Sequence, residues 1–297
     1  MALVLSVNFA FADKVVFTQD DSVKAYETAK RFVEDCTPRN AGTLRGRLAA
    51  NWIVDMVSRC GVDAEIDSFK DETPLGVKNF NNVEVLFKAK KPSAPWIVFM
   101  SHYDTAPTVK GGFKGANDSA STTGLLISLA GALKRAGGAG DNNILFVWTD
   151  GEECFKFYAP NDGFHGSRHL AGKFVKEKRL VRAAVCLDML GDKNLNIMLP
   201  DNSSKHLIDI VLRAAKNVGC GKYVKEEDRF DVKDDHTAFL KVGYPAIDLI
   251  DFEFGSRPGL NDYWHTTDDT IDKISSESLY VSGRIAAECL NIIDARK

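Results

Sequence analysis

Ile144-Leu-Phe-Val-Trp-Thr-Asp-Gly-Glu-Glu153 is the stretch that decides the fold. Five apolar residues rich in strand formers run into a glycine turn, and nothing polar interrupts them. A strand that alternates apolar and polar residues has one wet face; a continuous run is covered on both faces, as in a parallel sheet. The same character recurs at 83–88, 96–100, 183–187, 195–199 and 246–250. Between and around these runs lie segments with apolar residues at helical spacing: Ser22 to Cys36, Gly42 to Cys60, Ser121 to Ala136, Ser167 to Lys178, Ser204 to Val218 and Ser275 to Arg296. Alternating strands and helices predict an α/β fold with a mixed, mostly parallel central sheet flanked by helices. The Pro- and Lys-rich stretch 88–95 reads as a surface hairpin, and the charged run Lys222 to Asp231 as a solvated loop.

In such a sheet, sites form at the carboxyl ends of the strands. The run 96–100 is followed by Ser101-His-Tyr-Asp-Thr105, and 183–187 by Asp188. Asp118 lies where the loop Gly115-Ala-Asn-Asp-Ser119 enters a helix, and Trp264-His265 follows the last strand. Strand ends thus deliver His102, Glu152-Glu153, Asp188 and, with the helix entrance, Asp118 and His265. Imidazole and carboxylate donors without thiolate are a zinc-like ligand set. Carboxylates packed together without a cation repel one another, and a metal removes that cost. Adjacent carboxylates in a turn point apart, so one of Glu152 and Glu153 can bind a metal while the other carries protons.

The remaining composition narrows the function. The 297 residues carry a net charge of −3, with no basic stripe to track a phosphate backbone, so nucleic acid is excluded as a partner. Six scattered cysteines contain no Cys-x-x-Cys pair, which argues against a cysteine-only zinc site. No apolar run is long enough to span a membrane. The run Leu3 to Phe11, closed by Ala10-Phe-Ala12, reads as the remnant of a secretory signal over residues 1–12, with a buried first strand as the alternative. The signal reading places the protein outside the cell or in the periplasm, and leaves 13–297 as a single catalytic domain. His165, His169 and His206 lack carboxylate-rich neighbours at ligand spacing and read as ordinary polar residues.

His102-Tyr-Asp-Thr, Gly115-Ala-Asn-Asp-Ser-Ala, Asp150-Gly-Glu-Glu, Asp188 and Trp264-His-Thr-Thr-Asp-Asp, in this order, resemble the M28 family of zinc peptidases. The ungapped segment from Asp150 to Ala171, with Asp234-Asp-His-Thr-Ala-Phe-Leu240, is similar to the animal-type glutaminyl cyclases and their bacterial relatives within that family. The resemblance implies an enzyme acting on peptide or protein N-termini, converting N-terminal glutamine to pyroglutamate. It implies that Asp118, Glu153 and His265 hold one zinc and that Glu152 shuttles the proton. Asp188 and Asp234 would extend a hydrogen-bonded acid network beside Glu152, and Trp264 would wall the pocket. In the family's aminopeptidases, His102 and Asp188 take a second zinc bridged by Asp118, and Asp104 orients His102. Two pocket positions depart from the cyclase pattern: Tyr158 stands where tryptophan is usual and Lys233 where glutamine is usual. One zinc with cyclisation and two with aminopeptidase activity therefore both remain open. A non-catalytic binding module of the same fold is a third reading, but such proteins lose the ligands that this chain retains.

Overall fold

The computed structural model describes residues 13–227 and 231–296. The signal-like segment 1–12 lies outside the described residues. Among the described residues eight strands form one sheet: β1 (Glu65–Thr73), β2 (Gly76–Phe87), β3 (Trp96–His102), β4 (Asn143–Thr149), β5 (Val181–Asp188), β6 (Ile197–Pro200), β7 (Val224–Glu227) and β8 (Ala246–Ile250). Their order is β1-β2-β4-β3-β5-β8-β6-β7. The centre, β4-β3-β5-β8, is parallel. β1 and β2 form an antiparallel hairpin at one edge, and β2 also runs antiparallel to β4. At the other edge β6 pairs antiparallel with β8 and parallel with β7.

The α-helices of the described residues that cover the sheet are α1 (Gln19–Cys36), α2 (Leu44–Ser58), α3 (Thr122–Arg135), α4 (His165–Lys176), α5 (Lys205–Asn217), α6 (His236–Lys241) and α7 (Ser276–Ile293). Successive strand residues point to opposite faces, and the two cores divide accordingly. Ile97, Phe99, Ile144, Phe146 and Val185 pack beneath α1, α2, α3, α5 and α7. Val98, Met100, Leu145, Val147 and Cys186 pack against Leu170 and Phe174 of α4 and Phe239 of α6. Every residue of β4 is buried, which accounts for its uninterrupted apolar sequence.

Three differences from the sequence reading have physical causes. β1, with the sequence Glu-Ile-Asp-Ser-Phe-Lys-Asp-Glu-Thr, is an edge strand with alternating exposure, so no apolar run marks it. The stretch 88–95 is not a hairpin: β2 and β3 lie on opposite sides of β4, and the segment carries the chain from one side to the other. The run from Lys222 contains β7, whose Glu227 is buried. Helix α1 also begins three residues before the apolar periodicity does. Thr18 caps it by accepting the Asp21 amide, while the Asp21 carboxylate accepts the Thr18 amide.

Candidate active site

The parallel centre brings the carboxyl ends of β3, β4 and β5 side by side. His102 is the last residue of β3, Asp188 the last of β5, and Glu152-Glu153 follow β4 after the turn at Gly151. Gly151 has φ 75°, and a Cβ there would lie 2.6 Å from the Phe80 ring. No other residue fits this turn without displacing a core aromatic. Asp118 lies within the π-helical turn Ala116–Ser121 that leads into α3. His265 comes from the long loop after β8 and has φ 80°, a region side-chain-bearing residues seldom adopt.

These side chains converge. Asp118 Oδ1 lies 3.0 Å from His102 Nε2, and its Oδ2 lies 3.3 Å from His265 Nε2. His102 Nε2 is also 3.3 Å from Asp188 Oδ1, and His265 Nε2 is 3.1 Å from Glu153 Oε1. Two groups of three share Asp118: Asp118, Glu153 and His265, and His102, Asp118 and Asp188. Each presents ligand atoms within 4.8 Å of one another, the spacing a bound cation requires. A third group with the same spacing, Cys186, Asp234 and Asp248, is buried among the described residues.

The charge balance also fits a cation. Burial alone would pull the His265 imidazolium down, but Asp118 and Glu153 outweigh it and push its pKa up to about 10. His102 behaves alike: burial opposes its charge, while Asp104, Asp118 and Asp188 together raise it well above 6.5. Each acid cluster thus recruits positive charge, and the buried Glu153 Oε2 still has no hydrogen-bond partner. A divalent ion would supply that charge and take up the free oxygen.

Glu152 stands beside these groups and is not a member of either. Burial, followed by the neighbouring Glu153 charge, raises its pKa well above 4.5, as proton transfer near neutrality requires. The Tyr158 hydroxyl lies 3.2 and 3.4 Å from the two Glu152 oxygens and donates to that carboxylate. The Trp264 ring stacks on His265 at 4.0 Å and meets Phe252 edge-on. Together with Lys233 and Asp234 these residues line a cavity of about 240 Å³.

The expected acid network takes a different course. Burial, with the Asp118 and Glu153 charges behind it, raises Asp188 to about 6; burial, followed by the Asp188 charge, raises Asp234 to about 7. Yet Asp234 does not bond to Glu152. It accepts from Cys186 Sγ at 3.3 Å and from the Asp235 amide, and it abuts Asp248. His165 and His169 do have carboxylate partners, contrary to the sequence reading: Asp71 at 2.7 Å and Asp67 at 3.2 Å. Both acids come from β1, the strand the sequence did not reveal, and the pairs tie α4 to the sheet edge.

Three residues shape the site by holding its backbone. Asp104 lies 3.5 Å from His102 Nδ1, but its carboxylate also accepts the amides of Gly151, Glu152 and Glu153 at 3.0, 3.2 and 3.3 Å. Asp269 does the same for the Asp118 turn, accepting the amides of Asn117 and Asp118 at 2.7 and 3.1 Å. The fully buried Arg39 guanidinium donates to the carbonyls of Tyr103, Lys114 and Gly115. Arg39 was outside the reach of sequence reasoning; Asp104 belongs to the motif that begins at His102, and Asp269 ends the one that begins at Trp264.

The model of peptidase family M28 matches residues 82–290. The glutaminyl-peptide cyclotransferase of Dictyostelium discoideum is 26% identical over 81% of this chain and 78% of its own length. The solved glutaminyl cyclase of an Acidobacteriales bacterium is 35% identical, covers 93% of this chain and 96% of its own, and superposes with a TM-score of 0.84. A leucine aminopeptidase precursor from Bacteroides thetaiotaomicron shares the fold, with a TM-score of 0.77 at 23% identity over 92% of this chain and 98% of its own. A family match across most of the sheet and the whole site, joined to this likeness over nearly full length, makes the chain a member of peptidase family M28.

Proposed function

We propose that the protein is a zinc-dependent glutaminyl-peptide cyclotransferase, closing the N-terminal glutamine of peptides or proteins to pyroglutamate with release of ammonia. The observation that carries this reading is Glu152: a buried carboxylate, outside both ligand groups, facing a small cavity walled by Trp264 and Tyr158. The similarity to solved and curated glutaminyl cyclases supports it. The cavity, about 240 Å³, is below the roughly 300–1,000 Å³ of sites for drug-sized ligands, which suits a single residue.

Asp118, Glu153 and His265 would hold the zinc. When bound there, zinc supplies Lewis acidity that polarises the γ-carbonyl of the substrate. Nucleophile and electrophile belong to one residue, so the pocket has only to fold the side chain back on its own amine. Trp264 and Phe252 do this by shape while excluding water. As the α-nitrogen bonds to the γ-carbon, Glu152 takes a proton from that nitrogen. It returns the proton to the departing γ-nitrogen as the carbon–nitrogen bond breaks, and ammonia leaves. The Tyr158 hydroxyl fixes the Glu152 carboxylate during both transfers.

A second reading, a two-zinc aminopeptidase, is favoured by one feature. The Asp118 carboxylate spans His265 and His102, and Asp188 completes a second ligand group. Incubation with Gln-initial peptides separates the two. Ammonia release with an intact peptide bond is expected, together with one zinc per chain by elemental analysis. Cleavage of Leu- or Ala-initial peptides, with Gln peptides uncyclised and two zinc ions bound, would replace the cyclase by the peptidase.

A further inference from the structure

Lys233 is the one lysine or arginine among the described residues that lines the cavity; its charged neighbours there are carboxylates and two imidazoles. It is exposed, so it stands at the mouth and not on the floor. Both flanks of its backbone are tied down. The Val232 carbonyl accepts from Asn202 Nδ2 at 2.7 Å, and the Asp234 carbonyl accepts the Thr237 amide and hydroxyl at 2.9 and 2.7 Å. Arg39, Arg135, Arg168, Lys173 and Lys225 are all engaged by carboxylates or carbonyls. The Lys233 ammonium has no hydrogen bond or ion pair with any described residue. Asp231, exposed on the same rim two residues earlier, forms no ion pair with it, nor does the adjacent, buried Asp234.

We infer that Lys233 is a specificity-determining residue that makes the site prefer peptides carrying a carboxylate immediately after the N-terminal residue. The inference rests on the proposed reading that one N-terminal residue fills the cavity. If it does, the second residue must cross the mouth, where this ammonium waits without a partner. The carboxylate has two sources: an acidic side chain at position two, or the free terminus of a dipeptide. The acids on the floor repel either one and hold it at the rim. A neutral residue at position 233 would be indifferent to this charge.

The experiment measures kcat/KM ratios on the zinc-loaded protein. One pair is Gln-Glu-Ala-amide against Gln-Gln-Ala-amide; the other is the dipeptide Gln-Ala as free acid against its amide. At low salt the acidic member of a pair is expected to be preferred roughly two- to fivefold, the range of a rim ion pair. The preference shrinks as salt is added, falls to about one in Lys233→Gln, and inverts in Lys233→Glu. Each ratio is internal to one preparation, so partial misfolding does not mimic the effect. A preference confined to the first pair assigns the contact to the side chain, and one confined to the second assigns it to the terminus. Ratios near one in the unmodified protein, or equal ratios before and after Lys233→Gln, overturn the inference. If no Gln peptide is cyclised, the cyclase reading fails. The same pairs, titrated by calorimetry, then read the Lys233 preference as an affinity ratio.

Discussion

The two ligand groups that share Asp118 are built by different means. Two members of the inner group end the sheet itself: His102 and Asp188 are the last residues of the neighbouring strands β3 and β5. Strand pairing fixes their backbones, His102 against Thr149 of β4 and Asp188 against Ile250 of β8. The outer group hangs on loops. Glu153 lies beyond a glycine turn, Asp118 in a π-helical turn, and His265 in a loop with left-handed backbone. Its members keep their places because buried carboxylates collect their loose amides: Asp104 takes those of residues 151–153, and Asp269 those of 117 and 118. Regular structure therefore positions one half of the site, and acid-to-amide clamps position the other.

The comparison can be broken at four places. Glu152→Gln leaves both groups intact and removes only the proton carrier. It should lower kcat by roughly 10²–10⁴, with zinc content unchanged by elemental analysis; lost zinc would show that Glu152 is itself a ligand. Asp269→Asn attacks the clamp on the turn that carries the shared Asp118, replacing one acceptor oxygen with a donor that faces an amide. Zinc affinity, measured by competition with a chelator, should fall roughly 10–100-fold. Unchanged affinity would mean that the Asp118 turn holds its shape unaided. His102→Ala attacks the inner half. With one zinc in the outer group, cyclisation should fall about tenfold, the low end of the range for a supporting neighbour. Abolished activity would make the inner half a metal site in its own right.

The gentlest test is pH on protein stripped of metal. His265, raised to about 10 in the folded chain, binds a proton more tightly there than when unfolded. Its stabilisation is complete below about 6.5 and is lost as pH rises through about 10. The Tm of stripped protein should drop by a few degrees between neutral and alkaline pH. Restoring zinc, which takes the place of the proton, should flatten that slope. A slope equal in both forms would place His265 away from the bound ion.

The same division explains what the sequence made legible. β3, β4, β5 and β8 announce themselves because burial on both faces forces apolar runs. The residues that follow those runs stand out for the opposite reason, being acids and histidines where apolar residues should continue. That contrast exposes His102, Glu152, Glu153 and Asp188, while the glycine loop entering a helix and the segment after the last strand bring in Asp118 and His265. β1 stays hidden because half its side chains face water and its pairing is made by backbone groups. The clamping contacts stay hidden too, although the motifs contain Asp104 and Asp269. Asp104, Asp269 and Arg39 act on amides and carbonyls that every residue possesses, so no side-chain pattern marks their targets. The partners of His165 and His169 were missed together with β1, which supplies them.

The contact between the Asn117 amide and Asp269 joins positions 152 residues apart. During synthesis the ribosome has made α1, α2, α3 and most of the sheet long before residues 265–269 emerge. Domains fold progressively as the chain lengthens, so this scaffold can assemble early while its ion-binding cradle stays unfinished. The last ligand and the latch for the first arrive in one short loop, within moments of each other. The outer ligand group of a growing chain therefore cannot close on a metal until that loop has emerged.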